Sequence, residues 1–273
     1  MIKYSIRSHL VNIIVPGFFL YAVTISTAMA GPYSSKVVGM KFAEVPFPGD
    51  FQMSVLNIQK PGGEVVVLVR SKGKKIIAVD KDKTNKDIQA WKSGDNGSKQ
   101  LLNGGEVSAG FFSKISKDSM ASLVTLKCEV MPDNVIKSIH AKGYIHILTA
   151  DSRVEVTNKK FDLKPGQILR IGSVQMKFRK SGKPQWGKQP MEITFDTDEK
   201  LEYLSEIRFY QLNGKEIKSS RGSTMSIDMG GLKQVSVSYK LGKKVDKVMV
   251  KAKYWKGLQP VKVPFSFDVK RMF

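Results

Sequence analysis

His140 and His146, six residues apart, and the single cysteine, Cys128, are the side chains of this 273-residue chain best suited to metal or nucleophilic chemistry. A zinc site needs three or four His, Cys or acidic ligands at matched spacing. The two histidines share parity on one strand-like segment, but six residues of strand hold them roughly 20 Å apart. No cysteine pair or acid cluster completes the set, so both are expected to be structural or solvent-facing. The third histidine, His9, lies near the N-terminus. Cys128 shares parity with Val124, Leu126 and Val130, which predicts a buried, inert thiol rather than the nucleophile of a Cys–His pair.

The other catalytic spacings fail on their context. Ser71-Lys72-Gly73-Lys74 has the S-x-x-K spacing of a serine acyl-enzyme. That chemistry needs Ser and Lys one helical turn apart plus companion elements, whereas these four residues fall at a predicted β-turn. Asp80-Lys81-Asp82-Lys83-Thr84-Asn85-Lys86-Asp87 alternates oxygen donors like the start of a calcium loop. It lacks the glycine at position six and the glutamate at twelve, and three lysines oppose a divalent cation, so a solvated loop is expected. Glu192, Asp196, Asp198, Glu199, Glu202 and Glu206 have the composition of paired glycosidase carboxylates, but they read as a solvated acidic edge. Asn96-Gly97-Ser98 has the form of a glycosylation sequon and reads as a turn. There is no phosphate-binding glycine loop or dinucleotide fingerprint. No catalytic, metal or cofactor site is therefore expected.

Charge carries more information. The chain has a formal charge of +21, and Lys3 and Arg7 are the only charged side chains in residues 1–30, so the remainder carries +19. Residues 183–232 carry 7 basic and 8 acidic side chains, while residues 233–273 carry 11 and 2. Parity then gathers a basic ribbon: Lys243, Lys244, Lys247, Lys251, Lys253, Trp255, Lys256 and Lys262. Such a ribbon with an interleaved aromatic can bind polyanions or stack on sugars and bases. It is also what an ordinary solvated sheet face looks like.

The N-terminus sets the compartment. Lys3 and Arg7 precede an uncharged stretch, Leu10 to Ala30, ending in Ala28-Met29-Ala30. A basic region, an apolar region and an A-x-A site make a secretory signal peptide with cleavage before Gly31. The uncharged run is also long enough for an uncleaved anchor. Pro16-Gly17 and the small residues Thr24, Ser26, Thr27 and Ala28 favour cleavage. With one thiol there is no internal disulfide, which fits a bacterial periplasm or extracellular space. No second long apolar run follows, so no membrane span is expected after cleavage.

Strands must position all of this. Val65–Val69 and Ile76–Val79 flank the turn at Ser71–Lys74 like a hairpin. Ser122–Val130 alternates, and Ile136–Thr149 is strand-like with a break at Gly143. Arg153–Val156 and Ile168–Phe178 follow. Ser181 to Pro190 is rich in Gly, Pro and Lys and reads as a linker. Beyond it, Met191–Phe195 is a strand, and Asn213-Gly214 between Ile207–Leu212 and Lys215–Lys218 predicts a hairpin with a type I′ turn. Val235–Tyr239, Val245–Tyr254 and Val261–Val269 complete the series. No segment holds a helical apolar period.

The expectation is an all-β protein of two sandwich-like antiparallel domains, residues 31–182 and 183–273. The second resembles an immunoglobulin-like sandwich in size and strand pattern, though the Cys…Trp…Cys spacing of true immunoglobulin domains is missing. The expected function is an exported, non-enzymatic binding or envelope-interaction protein whose basic face meets lipopolysaccharide, acidic polysaccharide or nucleic acid. The alternatives are a scaffold for envelope proteins, in which the charge is incidental, and a hydrolase whose site the sequence does not reveal.

Overall fold

Period-two alternation becomes strand almost everywhere in the structure, a computed structural model that describes residues 7–13, 21–43, 62–94, 99–102, 106–130, 136–198, 201–229 and 232–271. The protein is all-β, built from antiparallel sheets in a sandwich-like arrangement. Two units divide it: residues up to Ala150 together with Leu258 onward, and Asp151–Gly257. Among the described residues no helix is long and apolar enough to cross a membrane.

Unit 1 opens with β1 (Arg7–Ile13), β2 (Tyr21–Ala30), β3 (Tyr33–Ala43), β4 (Gly62–Ser71) and β5 (Lys75–Val79). A short helix, α1 (Lys81–Lys86), precedes β6 (Gln89–Ser93), β7 (Lys99–Leu101), β8 (Val107–Ile115), β9 (Ala121–Cys128) and β10 (Ser138–Ala150). Unit 2 holds β11 (Ser152–Asp162), β12 (Ile168–Ile171), β13 (Val174–Gly182), β14 (Met191–Thr197) and β15 (Leu204–Tyr210). It continues through β16 (Glu216–Ile217), β17 (Ser219–Met229), β18 (Leu232–Leu241) and β19 (Lys247–Lys256), before β20 (Gln259–Arg271) returns to unit 1.

One sheet of unit 1 runs β7-β6-β10-β20-β2-β3-β4-β9-β8, with β1 beside β2 and β5 beside β10. It folds over at β2, whose residues 21–25 pair with β20 and residues 28–30 with β3. The alternate residues of both halves meet in one core. Val65, Val67, Val69, Val124 and Leu126 come from one half, and Ile139, Ile145, Val263, Phe265 and Phe267 from the other. Each is essentially inaccessible, and each such side chain stabilises by about 1.5–3 kcal/mol relative to exposure. A Ser35 hydroxyl donated to the Pro264 carbonyl ties the two halves together beside β2.

Unit 2 has a four-stranded sheet, β11-β19-β15-β16, and a five-stranded sheet, β12-β13-β14-β18-β17. Its core is separate and aromatic, centred on Phe161, Phe178, Phe195 and Phe209.

Several expectations change. The boundary does not fall at 182/183: residues 183–190 connect β13 to β14, which pair with each other from Gly182↔Glu192 to Lys177↔Asp196. The proposed linker is thus the loop of a hairpin inside unit 2. Residues 258–273, placed in the second domain by the sequence, supply β20 to the first. β4 and β5 are no hairpin either, because β4 pairs with β3 and β9 while β5 pairs with β10. The hairpin at 204–217 is real, with Tyr210↔Glu216. Its turn is a longer one, in which Gly214 alone takes positive φ (86°) and Asn213 does not, so it is not type I′. Residues 81–86, expected to be a loop, are helical: the Asp80 carboxylate caps the Lys83 N–H at 3.1 Å.

Gly143 is no strand break. β10 runs through it in unbroken register with β20. A β-carbon there would lie 2.4 Å from the Asp87 carbonyl oxygen, so the glycine exists to admit the chain leaving α1.

Candidate functional site

The outer face of unit 1 collects side chains from four strands. On β10, buried Ile139 and Ala141 alternate with Ser138, His140 and Lys142, which face away from the core. On β20, buried Phe267 and Val269 alternate with Asp268 and Lys270. Register sets Trp91 beside His140 and His140 beside Asp268, with Ser93, Ser138 and Lys270 in the next row. Lys99 of β7 lies opposite Ser93. These residues and Lys92 line one cleft of about 680 Å³.

Its polar contacts are specific. The His140 Nδ1–H donates to Asp268 Oδ1 at 2.7 Å. The His140 and Trp91 rings lie 5.4 Å apart at 32°. Lys142 Nζ sits 5.1 Å from the Trp91 ring centroid, within cation–π range. The hydroxyls of Ser93 and Ser138 bond to each other. A serine nucleophile would need its hydroxyl on the imidazole instead. Among the described residues that line it, the cleft has four lysines and one carboxylate, Asp268, which is bonded to His140.

His146 lies farther along the same outer face but is covered by α1. Its Nε2–H donates to Asp87 Oδ2 at 2.6 Å, and its backbone N–H donates to Thr84 Oγ1 at 3.0 Å. Lys262 Nζ also donates to Asp87, at 3.0 Å. Those two donors, His146 first, hold the Asp87 carboxyl below the usual carboxylate range. The cluster pins α1 to β10. The two histidines occupy separate settings, and among the described residues no group of three or more His, Cys, Asp or Glu is placed to hold a metal ion.

The basic ribbon is divided between the two units, and three of its seven lysines, Lys247, Lys253 and Lys262, face carboxylates. Lys262 belongs to unit 1, on Asp87 and over the Tyr144 ring at 5.7 Å. In unit 2, Lys253 lies between Glu206 (2.9 Å) and Glu155 (3.9 Å), and Lys247 faces Asp162 at 3.7 Å. Lys253 and then Arg208 hold Glu206 below the ordinary carboxylate range. Lys251 stacks over Tyr210 at 5.1 Å, Arg153 over Trp255 at 5.6 Å, and Lys243 donates to Gln211. Lys244 and Lys256 are exposed. The acids come from β11 and β15, the strands flanking β19.

The remaining candidates fall into structural roles. Cys128 is buried, its thiol donating to the Val130 carbonyl, and burial pushes its pKa up to about 11. Ser71 is buried at the end of β4, where Gly73 N–H donates to its hydroxyl. Glu192 accepts from Ser238 at 2.7 Å, and Asp196 from Ser236 with Arg179 nearby. Asn96-Gly97-Ser98, Glu199 and Pro16-Gly17 lie outside the described residues.

The sequence reading missed Trp91, Ser93, Lys99, Lys142 and Lys270 as a group. The available signal was the outward parity of Ser138, His140 and Lys142, matched by that of Asp268 and Lys270. No protein-family model matches this chain, and a comparison with curated proteins finds no match.

Proposed function

We propose that this protein is exported, to a bacterial periplasm or beyond, and is a non-enzymatic binding module that holds an anionic polymer in the cleft of unit 1. One observation carries the reading: Lys92, Lys99, Lys142 and Lys270 converge on a concave surface where, among the described lining residues, the one carboxylate is tied to His140. Trp91 gives that surface an apolar platform, and the paired serine hydroxyls give it donors and acceptors. The ribbon on β19 offers the same residue types, but its Lys253 and Lys247 already have carboxylates beside them. Lipopolysaccharide, acidic polysaccharide and nucleic acid all carry the repeating negative charge such a cleft takes.

Charge reversal in the two places separates them. Lys99→Glu, Lys142→Glu and Lys270→Glu together should weaken binding to heparin, lipopolysaccharide or DNA at least a hundredfold at low salt. On DNA each lost lysine–phosphate contact should flatten the log–log salt slope by roughly 0.7–0.9. Lys247→Glu, Lys251→Glu and Lys253→Glu make the same change in net charge and should alter affinity only a few-fold. Equal losses would mean that net charge alone attracts the polymer, and the cleft reading would fall.

Processing has its own check. The Ala30–Gly31 bond sits at the exposed turn between β2 and β3, where Gly31 takes φ of 60°. Intact-mass measurement on protein from the exported fraction should give a chain beginning at Gly31. A retained residue 1 would indicate a membrane-anchored form.

A further inference from the structure

Cleavage before Gly31 would remove a strand that has a seat in the fold. In the full chain β2 lies against β20 over Tyr21↔Arg271 to Ile25↔Phe267, and against β3 over Ala28↔Ser35 to Ala30↔Tyr33. The other edge of β20 is taken by β10 and the other edge of β3 by β4. Loss of β2 therefore frees one backbone edge on each of the two strands where the sheet folds over. Unpaired edges of this kind template strand addition. Residues 265–271 contain neither proline nor glycine to blunt the β20 edge.

We propose that processed unit 1 accepts, at the β20 edge, an extended segment of a partner protein that pairs antiparallel as β2 does. The inference rests on the exported, cleaved reading. The register of β2 specifies the occupant. Val23 and Ile25 are the partners of Val269 and Phe267, which are buried in the core, so the incoming segment carries apolar residues at alternate positions. Its other positions lie beside Asp268 and Lys270, the border of the anion cleft, and are polar or small, as Thr24 and Ala22 are. One strand of this protein would thus serve a polymer on its outer face and a protein partner along its edge.

The test uses exported protein after its mass is measured. A synthetic peptide of residues 21–30 should bind protein that begins at Gly31 and slow, at least tenfold, exchange of the Phe267–Arg271 amides that point away from β10. The same peptide with Val23→Asp and Ile25→Asp should do neither. Three outcomes overturn the proposal. Exported protein that retains residues 1–30 never opens the seat, and the processing reading fails with it. Protein that begins at Gly31 but already protects, as a monomer, the Phe267–Arg271 amides that point away from β10 has closed the seat by itself. Protection that appears only with dimerisation gives the seat to a second copy. In the last two cases the processing reading stands while the partner strand falls.

Discussion

Phe195→Ala should destabilise unit 2 by about 3–5 kcal/mol, the range for deleting a fully buried aromatic side chain. Phe195 has no accessible surface and lies within ring-contact distance of Phe178 (5.6 Å), Phe161 (6.0 Å) and Tyr239 (6.3 Å). Tyr239 packs in turn on Phe209 at 5.3 Å, and burial pushes its hydroxyl pKa up to about 12. Truncation therefore leaves a void bounded by rigid rings, which collapse poorly. None of these residues belongs to the core of unit 1. Scanning calorimetry should show one transition moving down by many degrees while the other stays in place, and anion binding by unit 1 should survive below the first. Phe267→Ala should move the complementary transition. A single transition that shifts as a whole in both variants would show that the units unfold as one cooperative body.

Gly143→Ala should damage both stability and binding, although it adds one methyl group. The new β-carbon would sit 2.4 Å from the Asp87 carbonyl oxygen and 3.1 Å from Asp87 C and Ile88 Cα. These are backbone atoms, so no rotamer change relieves the overlap and residues 87–88 must lift from β10. That stretch carries the Asp87 carboxylate bonded to His146 and Lys262, and it leads directly into β6 and Trp91. Overpacking of this kind costs about 1–3 kcal/mol, with loss of the Asp87 contacts in addition. Displacing Trp91 should lower polyanion affinity about tenfold or more. Amide exchange should accelerate in α1 and β6 and stay unchanged in unit 2. Gly39→Ala is the matched control: its nearest neighbour would be Val66 at 3.9 Å, an ordinary contact, so near-neutral stability is expected. If Gly143→Ala proves equally neutral, the α1 segment yields at β10 without cost and α1 does not brace the cleft.

Much of the local structure was legible in the residues. Alternation of Val124, Leu126 and Cys128 marked the inward face of β9, and that of Val248, Val250 and Ala252 marked β19; all six side chains are buried. The same rule placed Val263, Phe265 and Phe267 inward on β20. A strand sends successive side chains to opposite faces wherever it ends up, so parity survives ignorance of the fold. The Asn213-Gly214 hairpin was visible because its partners are contiguous in the chain. Helix α1 was not, since six residues show no period. Its stability comes from the Asp80 cap and from Thr84, whose hydroxyl donates to the Asp80 carbonyl at 2.7 Å while accepting the His146 N–H.

Lateral order belonged to the tertiary structure alone. Nothing local in Gln259–Arg271 says that it pairs with Ser138–Thr149, more than a hundred residues earlier, rather than with the strand just before it. That choice moved β20 into unit 1 and joined Asp268 to His140. The same choice for β11, β19 and β15 put Glu155 and Glu206 on either side of Lys253 and Asp162 beside Lys247, so a ribbon that is purely basic along one strand meets acids from its neighbours. Parity is a property of one strand and is written in its residues. A site on a sheet is a property of neighbouring strands, and which edges meet is decided by how the whole chain buries its apolar faces.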